Sequence, residues 1–170
     1  MTVIHALPVG GGILALAPMP GADGDFAADL AHILDWTPAL VISLATTNEM
    51  AAAGAGDLGP RLQQRATRWL HIPVPDMEAP DDEATALWAD ASRFACRALT
   101  GGGRVLIHCK AGIGRSGMAA LRLMIEAGEA PDEALDRLRA VRPGAVETDV
   151  QLHWAMSAPR EAARFVRGKG

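Results

Sequence analysis

The chain of 170 residues has no tyrosine, three phenylalanines and only two cysteines. Two cysteines, Cys96 and Cys109, cannot build a disulfide framework. Free thiols suit a reducing compartment, so a cytoplasmic location is expected. Nowhere do apolar residues run for the roughly eighteen positions that a membrane span needs. The opening Met1-Thr2-Val3-Ile4-His5 lacks a basic stretch, so a secretion signal is not expected. No charge of one sign dominates: 16 Lys and Arg stand against 20 Asp and Glu, a net charge of −4. That balance argues against nucleic acid or an anionic membrane face as the partner. His5, His32, His71 and His153 show no metal-ligand spacing, and neither a metal nor another cofactor is expected. What the chain does have is apolar bulk, 49% of its residues. That suffices for a core, and the length fits one domain over residues 1–170. A monomer is the simplest expectation. The basic ending Arg164-Phe165-Val166-Arg167-Gly168-Lys169-Gly170 reads as a solvated tail.

Periodicity and turn residues divide the chain into strands alternating with helices. Val3 to Leu7 and Gly12 to Ala17 read as strands around a Gly-Gly turn. Ala39 to Leu44, Trp69 to Ile72 and Arg104 to Ile107 read as further strands. Helices are expected over Phe26 to Leu34, with Asp23 or Asp25 near the cap, and over Asn48 to Ala53 and Leu58 to Arg65. Asp82 to Leu99 forms a long one ending near Gly101. Met118 to Ala127, Pro131 to Val141 with proline in its first turn, and Thr148 to Phe165 complete the set. The fold class is α/β, a mixed and mainly parallel central sheet flanked by helices.

One segment carries chemistry: His108-Cys109-Lys110-Ala111-Gly112-Ile113-Gly114-Arg115-Ser116. It joins a buried strand to a helix. A helix N-terminus presents unpaired N–H groups and the positive end of its dipole. A loop with converging N–H groups adds a concave nest for an anion. Gly112 and Gly114 permit the backbone angles that convergence requires. Arg115 can clamp two oxygens of a phosphate. The same positive field favours a thiolate at Cys109. His108 can hold the loop by hydrogen bonds, and the Ser116 hydroxyl can donate to the sulfur. The bland alternative, a cysteine packed as a small hydrophobe in a glycine-rich turn, does not account for His, Arg and Ser at these offsets. No Gly-Lys-Ser/Thr ending makes it a nucleotide loop.

The spacing Cys-x5-Arg-Ser after a His resembles the phosphate-binding loop of the cysteine-dependent phosphatases. With the features below, the likeness extends from about Val41 to Met156. It implies a protein tyrosine phosphatase-like three-layer sandwich. It also implies that residues 108–115 bind phosphate while Cys109 attacks phosphorus.

Such attack needs a proton donor for the leaving alkoxide. The proline-rich stretch His71-Ile72-Pro73-Val74-Pro75-Asp76-Met77-Glu78-Ala79-Pro80 places Asp76 on a loop after a strand, where α/β sheets carry their sites. In the resembled family an Asp on such a loop is the general acid. Asp81 and Asp82 are rivals, but they read as the N-cap of the next helix. Glu78 reads as solvated. Arg142-Pro143-Gly144 through Gln151 resembles the Arg-Pro-Gly…Gln segment of dual-specificity-like members. The likeness gives Gln151 the orientation of water and Arg142 support of the loop. The other reading of Gln151 is a surface residue in a helix capped by Thr148.

A short chain without tyrosine resembles the compact dual-specificity type, which implies phosphotyrosine as substrate and also phosphoserine or phosphothreonine on proteins. Lys110 resembles a residue of phosphoinositide phosphatases, which carry a second Lys where this chain has Ile113. A small-molecule, lipid or inositol phosphate therefore stands as the alternative substrate, and a non-catalytic phosphate-binding module as the alternative class. Some members pair the nucleophile with a second cysteine; Cys96 reads instead as a small buried residue. Asn48 and Glu49 could rim the pocket or start a helix. The four tryptophans read as core.

Overall fold

The computed structural model describes residues 2–159. Its strands are β1 (His5–Val9), β2 (Gly12–Ala17), β3 (Leu40–Ser43), β4 (Arg68–His71) and β5 (Arg104–His108). Its helices are α1 (Phe26–Asp35), α2 (Thr47–Ala52), α3 (Leu58–Gln63), α4 (Asp82–Thr100), α5 (Gly114–Glu126), α6 (Pro131–Val141) and α7 (Asp149–Met156). The strands lie in the order β1-β2-β5-β3-β4. Only the β1–β2 pair is antiparallel, so the sheet is mixed and mainly parallel, as expected.

Gly10 and Gly11 both take positive φ, 60° and 95°, as a two-residue hairpin turn demands. That tight turn keeps β1 in register to Val9, two residues past the expected end. Pro8 reads as a breaker, yet an edge strand tolerates it because one side of the ladder is free.

Alternation along the strands sends side chains into two cores. Leu14, Leu16, Leu40, Ile42, Val105 and Ile107 face one layer with α4 to α7. Val41 and Leu106 face the other, with Leu30 and Ile33 of α1, Met50 of α2 and Leu58 and Leu62 of α3. Trp88 and Trp154 belong to the first core and meet edge to face at 5.6 Å. Trp36 and Trp69 are only half-buried against the second; the Trp69 indole donates to Ser43 Oγ, and the Trp36 ring lies under the Arg104 guanidinium.

Helix α5 starts a full turn before the expected Met118. Two glycines in Gly114-Arg115-Ser116-Gly117 weaken its helical signature, so the packing and not the propensity fixes that turn. Every residue of α5 is buried. Its two charged residues beyond the first turn are satisfied internally. Glu126 accepts from Trp88 Nε1 at 3.1 Å, from Ser92 Oγ and from Arg122 Nε at 3.0 Å. Arg122 Nη1 donates to the Trp154 carbonyl at 2.8 Å, and its guanidinium lies 4.2 Å from the Trp154 ring. This cluster ties α4, α5 and α7 together. The helix expected to run to Phe165 ends instead at Met156, with Ser157 as its C-cap; residues 160–170, including the basic ending, lie outside the described residues.

Glu126→Ala would strand three donors and leave Arg122 buried without its partner. The expected loss is about 3–5 kcal/mol, as for other broken buried ion pairs. Urea unfolding checks this; a loss below about 1 kcal/mol, the range of an exposed pair, would mean that the cluster is solvated.

Candidate active site

The segment from Cys109 to Ile113 leaves the C-terminal end of β5 and climbs to the start of α5. Each of its five carbonyls is tied to a donor in the surrounding protein. His108 Nδ1 donates to the Cys109 carbonyl at 3.0 Å. The Met19 amide holds that of Lys110 at 2.9 Å. Arg142 takes two, Ala111 through Nη2 at 3.1 Å and Gly112 through Nε at 3.0 Å. The Ile113 carbonyl accepts from Gly117 at 2.9 Å and Val146 at 3.3 Å. Among the described residues the N–H groups of Lys110 to Arg115 have no acceptor. Carbonyls engaged by the surroundings and amides left over make a nest for an anion. Gly112 is required for it: φ is +72°, and a Cβ would lie 2.6 Å from the Ala17 carbonyl carbon.

Cys109 sits buried at the base of this loop. Arg115 and Ser116 lie in the first turn of α5, not in the loop before it. The Ser116 hydroxyl is buried and has no partner among the described residues, which leaves it free for the sulfur. Lys110 and Ala111 are exposed on the rim.

Arg115 is buried and its donors are divided. Nη1 and Nη2 grip Glu49 end-on, at 2.7 and 2.9 Å, and Nη1 also donates to the Val74 carbonyl at 2.8 Å. Nε has no partner among the described residues. The Nε/Nη2 edge therefore remains for two oxygens of a phosphate. Asp76 Oδ1 lies 3.5 Å from the same Nη2. The proposed acid, the clamp and the nest thus meet at one place. Asp81 is instead the N-cap of α4, accepting from Ala84, and Asp82 begins that helix.

His108 is fully buried, and burial pushes its pKa down to about 4. The neutral ring keeps its proton on Nδ1 to hold the Cys109 carbonyl. Its Nε2 then accepts from Ser43 Oγ at 2.5 Å, and Ser43 in turn accepts from Trp69 Nε1 at 2.8 Å. A chain of donors from β4 through β3 so fixes the tautomer beside the cysteine.

Thr148 caps α7, as the sequence suggests, in a capping box with Gln151. Gln151 is not the surface residue of the alternative reading. It is fully buried, and its Oε1 accepts from the amides of Glu147 and Thr148. Its Nε2 donates to the Glu78 carbonyl on the Asp76 loop at 3.3 Å. Cys96 and Cys109 are both free thiols. Cys96 is partly buried, and burial raises its pKa to about 11.

Glu49, which the sequence offers only as a rim residue or a helix start, is the partner that orients Arg115. The signal lay in Thr46-x-x-Glu49, a capping-box spacing. Both halves of the box form, and the box presents the Glu49 carboxylate to Arg115.

Residues 40–160 match the family described as dual specificity phosphatase, catalytic domain. Cyclin-dependent kinase inhibitor 3 of Mus musculus is 33% identical over 116 residues, which are 67% of this chain and 54% of that protein. Its counterpart from Rattus norvegicus is 31% identical over 117 residues, again 54% of that protein. The chain spans about half the length of the curated relatives it matches. The crystal structure of kinase associated phosphatase, with its catalytic site cysteine replaced by serine, has a TM-score of 0.80 at 23% identity. The alignment covers 95% of this chain and 96% of that one. Tk-PTP in its active form has a TM-score of 0.69 at 28% identity, over 92% and 97% of the two chains.

Two groups of the site make stability depend on pH, over different windows. Hydrogen bonding to Arg115 holds the Glu49 carboxyl down to about 2, against an ordinary 4.5. A depressed carboxyl contributes stability above its unfolded pKa, and loses it as pH falls through the folded one. For Glu49 that window runs from about 4.5 to 2. His108, ordinarily near 6.5, is held neutral by burial, so protons bind the unfolded chain first between about 6.5 and 4. Stability should therefore decline in two stages as pH falls below 6.5. Glu49→Gln should keep the upper stage and lack the lower. Urea midpoints taken from pH 7 to pH 3 test this; an unaltered lower stage in the variant would refute the pairing.

Proposed function

The chain belongs to the dual specificity phosphatase family, and on that premise we propose that it is a cysteine-dependent phosphomonoesterase acting on phosphotyrosine in proteins, with phosphoserine and phosphothreonine as further substrates. The observation that carries this reading is the nest of free amides above Cys109, closed by the Nε/Nη2 edge of Arg115 with Asp76 beside it.

The Cys109 thiolate attacks phosphorus in line with the ester oxygen. The S–P bond forms as the P–O bond breaks. Loop amides and Arg115 hold the equatorial oxygens, where charge is greatest in the transition state. Asp76 gives its proton to the leaving oxygen. In the second step water attacks the phosphocysteine and Asp76, now a carboxylate, takes its proton. The departing sulfur receives a hydrogen bond from Ser116. Gln151 orients the water through its remaining Nε2 hydrogen, the other being bound to Glu78.

Two features favour a protein substrate. The relatives named above are called inhibitors of, or are associated with, a kinase, and a phosphorylated protein is the corresponding substrate class. The rim also carries carboxylates: Asp76 beside Arg115 and Glu147 beside Gly114 are exposed, against the cations Lys110 and Arg142, the latter bound to the loop carbonyls. An inositol headgroup with several phosphates would find no excess of positive charge there. The two free thiols favour the cytoplasm as its location.

The test is steady-state hydrolysis of a phosphotyrosine peptide, a phosphothreonine peptide and a phosphoinositide, in EDTA. Turnover should be fastest on phosphotyrosine and unaffected by the chelator. Cys109→Ser should abolish it while phosphate still binds. Asp76→Asn should slow the chemical step by about 10²–10⁴, the usual contribution of a general acid. Preference for the lipid would overturn the substrate, and turnover surviving loss of Cys109 would overturn the mechanism.

A further inference from the structure

The acid of this site has little to hold it. The Asp76 side chain is 59% exposed. Its carboxylate accepts from the Met77 amide at 3.0 Å and approaches Arg115 at 3.5 Å. Its position is therefore set by the backbone of the loop. That backbone is a tight turn, with the Glu78 amide donating to the Pro75 carbonyl at 3.1 Å. Met77 occupies the third place of the turn with φ of +66°. A long side chain rarely adopts that left-handed conformation, which glycine takes freely. Left alone, the turn would relax to other shapes and carry Asp76 with it.

What opposes relaxation is α7. Thr148 Oγ1 donates to the Met77 carbonyl at 3.1 Å, and Gln151 Nε2 donates to the next carbonyl, that of Glu78. Two successive carbonyls are thus held from one helix turn. The Thr148 hydroxyl also accepts from the Gln151 amide at 3.3 Å as the helix cap. A hydroxyl can accept and donate at once, so one group starts the helix and grips the loop. The helix itself is anchored. Trp154 Nε1 donates to Thr85 Oγ1 of α4 at 3.1 Å, and Arg122 of α5 holds the Trp154 carbonyl.

We propose that Thr148 is a positioning residue for catalysis: its hydroxyl latches the strained Met77 peptide to α7 and so keeps Asp76 over the leaving oxygen. The inference rests on Asp76 being the general acid. It extends that reading to a residue that touches neither substrate nor phosphate.

A latch for the acid has a kinetic signature that a helix cap lacks. Esters of weakly acidic phenols need a proton to leave; esters of strongly acidic phenols leave unaided. The value of kcat/KM covers the steps up to loss of the phenol. It should therefore be measured for aryl phosphates from phenyl phosphate to 2,4-dinitrophenyl phosphate, in parallel with the melting temperature. The unaltered enzyme should depend weakly on phenol pKa. Thr148→Val should fall about ten- to a hundredfold on phenyl phosphate, the cost of a misplaced catalytic group, and less than about threefold on the dinitrophenyl ester. Thr148→Ser, which keeps both hydrogen bonds, should restore the flat dependence. Thr148→Asp serves where the valine variant folds poorly: aspartate caps helices well, but when ionised it cannot donate to Met77, so its dependence should be steep.

Asp76→Asn separates the two levels of the argument. A steep dependence in Asp76→Asn with a flat one in Thr148→Val and Thr148→Asp would overturn the latch and leave the acid in place. A flat dependence in Asp76→Asn would overturn Asp76 as the acid, and the latch with it.

Discussion

The site depends on where five carbonyls are tied. A peptide chain carries as many acceptors as donors, so a loop can bind an anion only if its acceptors are occupied elsewhere. Here the carbonyls of Cys109 to Ile113 are taken by His108, Met19, Arg142, Gly117 and Val146. The donors come from β5, the segment after β2, the segment after α6, and α5. The nest is thus a consequence of the whole sandwich closing around one turn, and not a property of its nine residues alone. Gly112 is the point where that closure leaves no room, since Ala17 lies against its missing side chain.

The second constraint is the division of Arg115. A guanidinium free on all sides would be a mobile cation. Glu49 and the Val74 carbonyl occupy three of its hydrogens, which fixes the plane of the group and presents one edge. This costs little positive field at Cys109, because the helix dipole and loop amides remain. It gains geometry, since two parallel N–H bonds to phosphate need a fixed plane.

Much of this was legible in the order of residues. The loop motif, the parallel sheet and the loop that carries Asp76 after β4 all follow from short-range patterns: a Cys-x5-Arg spacing, buried apolar runs, prolines after a strand. What stayed hidden joins residues distant in sequence. Glu49 meets Arg115 across 66 positions, and Thr148 meets Met77 across 71. Neither pairing has a local period to betray it. The start of α5 was misplaced for a different reason. Its glycines serve close approach, Gly117 to the Val146 amide at 2.6 Å from a hypothetical Cβ, and that need overrides helix propensity. Gln151 illustrates a third case. A capping-box spacing runs from Thr148 to Gln151, yet it does not tell a surface glutamine from a buried one, because burial of α7 depends on the Trp154 and Arg122 contacts.

Charge balance at the site follows from these pairings. Arg115 is paired with Glu49, so the two cancel, and neither Asp76 nor Cys109 supplies a cation. A phosphate dianion therefore enters a pocket whose fixed side-chain charges do not favour it in sum. Its binding must rest on dipoles: the amides of the nest, the N-terminus of α5 and the oriented edge of Arg115. Dipoles fixed by structure need no reorganisation when charge shifts in the transition state. They also act only at short range and only on oxygens placed at the right distance, so selectivity for a tetrahedral phosphoryl group arises from geometry. The charged rim can then discriminate among the groups that carry the phosphate without weakening the grip on the phosphate itself.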